Sequence, residues 1–154
     1  MASTRFELVT HWTFAAPPVK VWAALMAPEE WPTWWRAVKQ VDILEPGDAA
    51  GIGAYRRFTW RTALPYAIAI NMRTTLIEPL AMIEGQADGE LTGCGTWTLT
   101  ASNGGTLVRY DWIVDVTKPW MRALAPVLRP MFTWNHNKVM QWGYEGLKRK
   151  LGEA

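Results

Sequence analysis

His136 is one of two histidines in the chain and lies in FTWNHNKVMQWGYEGL, residues 132–147. Imidazole is the side chain that exchanges a proton near neutral pH without special help. Projected as a helix, Phe132, His136, Val139, Met140, Gly143, Leu147 and Leu151 fall within about a third of the circumference. His136 is therefore expected to face inward, with Trp134, Lys138, Gln141 and Glu145 turned away. Two readings of it are open: a core histidine paired with a backbone or tryptophan group, or a cavity group that orients or protonates a ligand. Glu84, in MIEGQADG, is a second acid–base candidate if its strand turns it inward, because a buried carboxylate must pair or take up a proton. Turned outward it is an ordinary solvated glutamate, and the alternation around it does not decide. Tyr110 and Arg56 are groups that could steady an enolate. Arg56 shares strand parity with Phe58 and Trp60, so it either meets an anionic ligand group or runs its stem along apolar surface to water.

Other chemistries are excluded more firmly. His11 and His136 fall on separate elements and Cys94 is the sole cysteine, so no metal-ligand spacing exists and neither metal nor cofactor is expected. Ser3 and Ser102 are the only serines, one beside the terminus and one in a hairpin, which disfavours a Ser-His-Asp hydrolase. GIGAYR at 51–56 lacks the helix and third glycine of a dinucleotide loop. A net charge of +2 without a basic stripe argues against a nucleic-acid partner. A lone cysteine permits no intrachain disulfide. MASTRFELV has no apolar signal core, and no run approaches the ~18 residues of a membrane span. The expectation is a soluble cytoplasmic protein with no integral membrane segment.

Eleven tryptophans in 154 residues suit a lined cavity better than a dry core, since each carries an N–H that wants a partner. Trp31, Trp34 and Trp35 come within five positions, as a plug closing the core or as rings that stack on an aromatic or alicyclic ligand. Gly143 and Gly146 each cost a helix about 1 kcal/mol relative to alanine. Gly143 sits on the inward stripe, where it either admits a bulky tryptophan or leaves room for ligand.

The elements that must position these groups follow from periodicity. FELVTHWTF, residues 6–14, alternates as a strand with Phe6, Leu8, Thr10, Trp12 and Phe14 on one side. Pro17 and Pro18 open a short helix that ends near Ala27, and Pro28 opens a second through PEEWPTWWRAV. Between 38 and 116, turn residues separate about six strands. Their apolar sides are Ala54, Phe58 and Trp60; Ile68, Ile70, Met72 and Leu76; Trp97 and Leu99; and Val108, Tyr110, Trp112, Val114 and Val116. One buried and one wet face predict an antiparallel sheet, and SNGGT at 102–106 predicts a hairpin. PWMRALAPVLRP, with Pro119, Pro126 and Pro130, predicts a short bent helical stretch, followed by a long helix from Met131 to about Leu151. The length predicts one domain over 1–154.

FAAPPVKVWAALMAPEEWPTWW, GTWTLTASNGGTLVRYDW and KPWMRALAPVLRPMFTWNHNKVMQWGYEGLKRKL resemble the START-like, birch-pollen-allergen-like (SRPBCC) superfamily, in its polyketide cyclase/dehydrase branch. The resemblance covers roughly residues 6–151 and implies an α+β helix-grip fold. In it a curved antiparallel sheet of about seven strands wraps a long C-terminal helix, with two short helices after the first strand. It also implies a deep apolar cavity, used across the superfamily for lipids, hormones and polyketides and in some branches for their cyclisation or hydrolysis. The expected ligand is a small hydrophobic, ring-containing molecule, lipid or polyketide-like. Its walls would include Arg56, Phe58, Trp60, Ile70, Met72 and Trp97, together with Tyr110, Trp112, His136, Met140 and Gly143, with Trp34 and Trp35 at the mouth. The alternative is a cyclase, aromatase or dehydratase using His136 or Glu84 as acid or base. Either form is expected as a monomer or homodimer.

Overall fold

The computed structural model describes residues 5–65 and 67–153; Ser3 lies outside them. Seven strands, β1 (Arg5–Phe14), β2 (Val38–Glu45), β3 (Tyr55–Arg61), β4 (Ala67–Glu78), β5 (Met82–Gly89), β6 (Leu91–Ser102) and β7 (Gly105–Val116), form one antiparallel sheet in the order β1-β7-β6-β5-β4-β3-β2. Helix α1 (Pro18–Leu25) and a 3₁₀ turn (Pro28–Thr33) follow β1, and helix α2 (Pro119–Lys150) follows β7. This is the helix-grip arrangement expected from the resemblance.

The alternation that predicted β1 is the one observed. Phe6, Trp12 and Phe14 are buried and Leu8 half-buried, while Glu7, Val9, His11 and Thr13 are exposed. On β7, Val108, Trp112, Val114 and Val116 are buried on the same face. The β6–β7 turn holds Asn103 at φ +50° and Gly104 at φ +81°. Two successive left-handed residues match the twist of the strands they join, and Asn-Gly is the pair that adopts them most easily.

Three expectations are corrected. The alternation of β4 breaks at a bulge between Thr74 and Leu76. One extra residue reverses every later facing, so Leu76 is 38% exposed and Ile77 turns inward instead. The second short helix is a 3₁₀ turn that ends at Thr33, leaving Trp34 and Trp35 beyond it. Pro126 and Pro130 do not interrupt the last helix, which runs unbroken for 32 residues. Each proline removes one N–H, at the expense of the carbonyls of Arg122 and Pro126; both of those residues are exposed, where water can take up the freed oxygens.

The end of α2 is tied back to the start of the chain. The Glu153 carboxylate accepts from the N–H groups of Ala15 at 2.9 Å and Ala16 at 3.3 Å, and the Tyr144 hydroxyl donates to the Thr13 carbonyl at 2.8 Å. Between sheet and helix lie two buried clusters. One is built on Trp12, Trp31, Trp35 and Trp97 with Val139, Met140 and Leu147; the other on Phe6, Ile70, Trp112, Val114 and Met121.

Candidate functional site: a cavity between sheet and helix

A cavity of about 240 Å³ lies between the inner sheet face and α2. Period two supplies its sheet walls: Phe6 and Leu8 from β1, Phe58 and Trp60 from β3, Ile68, Ile70 and Met72 from β4, and Tyr110, Trp112 and Val114 from β7. Period 3.6 supplies the helix wall, Met121, Phe132, His136, Val139 and Met140. The lining is chiefly apolar, so the few polar groups in it define what chemistry it can hold.

His136 is the most unusual of them. Neither ring nitrogen finds a hydrogen-bond partner in the protein, and both are buried. The reading as a core histidine paired with a backbone or tryptophan group therefore does not hold. Burial pushes its pKa down to about 4, against a weaker opposing pull from the Asn137 amide. At neutral pH the ring is uncharged and offers one N–H donor and one bare nitrogen acceptor. Burial likewise drives the Tyr110 hydroxyl well above its ordinary value, so it is a neutral phenol. Its ring lies 4.2 Å from that of Trp97 and stacks on Trp112 at 6.0 Å.

Arg56 lines the cavity, but its charge is engaged. Its Nε donates to Glu29 Oε1 at 2.7 Å, with side chains 18% and 38% exposed respectively. The pair fastens β3 to the first turn of the 3₁₀ segment at the solvent edge. Asn135, one position before His136, also reaches the cavity. Its Oδ1 accepts from the Ala63 N–H at 3.1 Å, holding the β3–β4 connection against the helix.

Phe58, Trp60, Ile70, Met72, Trp97, Tyr110, Trp112, His136, Met140, Arg56 and Trp35 all reach the cavity. Trp34 and Gly143 do not. The added Cβ of any residue at 143 would stand 2.5 Å from Trp35 Cε2, so the inward gap left by Gly143 is filled by an indole. Trp35 is not at a mouth either. It is 1% exposed, and its Nε1 donates to the Val139 carbonyl at 2.8 Å, which makes it the floor of the cavity. Trp34 stacks on Trp35 at 5.5 Å, and its carbonyl oxygen presses on Gly146. The plug reading of Trp31, Trp34 and Trp35 describes this end of the molecule.

The facing of Glu84, open in the sequence, is set by the register of β5. Glu84 borders the cavity, but its cross-strand neighbours are Leu76 and Thr96, whereas Ile83, Gly85 and Ala87 carry the inward parity of β5. The Thr75 hydroxyl on the bulge contacts its carboxylate at 3.4 Å. Among the described residues no three metal-ligating side chains come together, and no helix is long and apolar enough to cross a membrane.

Sequence reasoning missed Asn135, Met121 and Ile77. Asn135 sits at the border of the inward stripe, and Met121 falls on the stretch predicted as a separate bent segment. Ile77 was hidden by the bulge.

Residues 5–152 match the family model described as polyketide cyclase / dehydrase and lipid transport. Among curated proteins, no sequence matches this chain. Among solved structures, TTHA0849 from Thermus thermophilus superposes with a TM-score of 0.76 at 16% identity, covering 94% of this chain and 99% of that one. The di-domain ARO/CYC StfQ from the steffimycin biosynthetic pathway superposes at 0.69 and 14% identity, over 96% of this chain and 52% of its own. Ara h 8.0201 superposes at 0.57 and 16% identity, over 90% and 97%.

Proposed function

The chain belongs to the polyketide cyclase / dehydrase and lipid transport family, and from that premise we propose that it binds a small, uncharged, hydrophobic ring-containing molecule in the cavity and acts as its carrier. The observation that carries this reading is the unpartnered His136 imidazole in a chiefly apolar chamber. Apolar lining favours a ligand by removing its surface from water, worth about 25 cal/mol per Å². The neutral imidazole selects a ligand hydroxyl or carbonyl, because a buried polar group left unmatched costs about 1–3 kcal/mol. A carboxylate is disfavoured, since the cation on the wall, Arg56, is already paired with Glu29.

A cyclase, aromatase or dehydratase would use the same His136 to move a proton. That second reading lacks a second acid–base group: Glu84 belongs to the outer parity of β5, and the Tyr110 phenol, held neutral by burial, can donate a hydrogen bond to an enolate but cannot act as the base. The carrier therefore stands first.

Titration calorimetry with 2-naphthol and 2-naphthoate tests the proposal. Naphthol should bind wild type and bind His136→Phe roughly tenfold more weakly, the equivalent of about 1.4 kcal/mol. Naphthoate bound as tightly as naphthol, or naphthol indifferent to the substitution, would overturn it.

A further inference from the structure

The half of α2 that lines the cavity carries a second apolar surface on its other side. Trp120, Leu124, Val127, Met131 and Trp134 are 55%, 46%, 77%, 39% and 50% exposed. Their spacing of 4, 3, 4 and 3 residues places them within about 80° on a helical wheel, well away from the inward residues Met121, Phe132 and His136. The alternation of three and four is the seam spacing of helices that pack along one another. Solvent-facing apolar residues are common singly, but a continuous stripe of five with a tryptophan at each end marks a contact surface.

We propose that this stripe is the interface of a homodimer in which two copies of α2 pack antiparallel about a two-fold axis at Val127. The order of the side chains is nearly palindromic. From Val127, Leu124 and Trp120 lie three and seven positions one way, and Met131 and Trp134 four and seven the other. A two-fold interface must be self-complementary. With Val127 on the axis, Trp120 meets Trp134 of the partner subunit, and Leu124 meets Met131 of the partner subunit. Hiding the exposed parts of five side chains on each copy removes on the order of 1,000 Å² in total, the size at which a specific interface begins. Charge agrees. Arg129 is the only charged residue from Ala123 to Asn137, and it turns to the sheet, donating to the Arg5 carbonyl at 2.9 Å and lying over the Phe6 ring. Arg122 likewise donates to the Val116 carbonyl. Depletion of charge with enrichment of Trp and Met is the composition of an interface centre. A face for anionic lipid would instead carry a cluster of several basic residues, and only Lys138 continues the line of the stripe. The proposal does not depend on what the cavity holds.

Sedimentation velocity of the full chain over a range of micromolar concentrations tests it. Wild type should reach a dimer, and Val127→Glu, which sets two like charges on the axis, should raise the dissociation constant at least a hundredfold while leaving naphthol binding intact. Orientation is read separately in a Cys94→Ser background with a short bis-maleimide. Val127→Cys should cross-link to itself, and Trp120→Cys, held about 20 Å from its mate by the antiparallel arrangement, should not. A monomer at every concentration, a dimer indifferent to Val127→Glu, or self-cross-linking at residue 120 would overturn the proposal. So would a monomer that floats with phosphatidylglycerol vesicles, which would assign the face to lipid.

Discussion

The two ends of the space beneath the sheet are built from the same helix and the same strands, yet one is filled and the other hollow. At the filled end, Trp35 lies 5.6 Å from Trp12, 5.3 Å from Trp31 and 5.2 Å from Trp60 between ring centroids. Helix α2 makes room for this by omitting side chains at Gly143 and Gly146, against Trp35 and Trp34 respectively. At the hollow end, the helix presents Met121, Phe132 and His136 to residues such as Ile68, Ile70 and Val114, and the indoles present, Trp60 and Trp112, belong to the sheet wall. Dense ring-on-ring packing at one end and open space at the other are thus complementary. The glycines concentrate the large rings at one end, and the rings set the floor of the chamber.

The largest way to break this contrast is to remove the floor. Trp35→Ala should cost about 3–5 kcal/mol in chemical denaturation and enlarge the chamber, because its indole both fills the Gly143 notch and donates to the Val139 carbonyl.

Acid should act on the hollow end through His136. With His136 held at about 4 in the folded protein against about 6.5 unfolded, the unfolded chain binds a proton between those values that the folded chain refuses. Stability is then complete above about pH 6.5 and falls as pH drops toward 4, by up to about 3 kcal/mol from this group. Denaturation midpoints across that window should fall more steeply in wild type than in His136→Phe, where only carboxylates such as Glu45 and Glu90, held low by Arg73 and, against the pull of burial, by Lys118, still contribute. Parallel profiles would refute it.

The smallest effects come from adding atoms. Gly146→Ala should destabilise by about 1–3 kcal/mol despite alanine's better helix propensity, because its methyl would run into the Trp34 backbone. Leu8→Phe on the cavity wall should cost less than about 1 kcal/mol and weaken naphthol binding. Equal costs in thermal denaturation would erase the distinction between the ends.

The strands and the inward stripe of α2 were legible in the sequence because one face is buried and the other wet, so hydrophobic periodicity carries the pattern. The facing of His136 followed from the same projection. Its lack of a partner did not, because pairing depends on what other elements bring near. Leu76 and Ile77 were misplaced because a bulge leaves no mark on composition. Pro126 and Pro130 suggested a break because proline costs a hydrogen bond, but the sequence does not show that the freed carbonyls face water. Trp34 and Trp35 share chemistry and differ only in where the 3₁₀ turn aims them.

The neighbouring placement of β1 and β7 also governs how the chain comes together. Phe14 pairs with Thr106 and Arg5 with Asp115, so the first strand has no permanent neighbour until the last has formed. Loop closure over such separations must precede the contacts that reward it, and sheets of this kind fold in milliseconds to seconds rather than microseconds. During synthesis Phe6, Trp12 and Phe14 wait uncovered while some ninety further residues emerge. The carboxylate of Glu153, fastened to Ala15 and Ala16, comes later still. Until β7 and α2 have formed, the chain exposes aromatic segments of the kind that leave an unfinished fold prone to association.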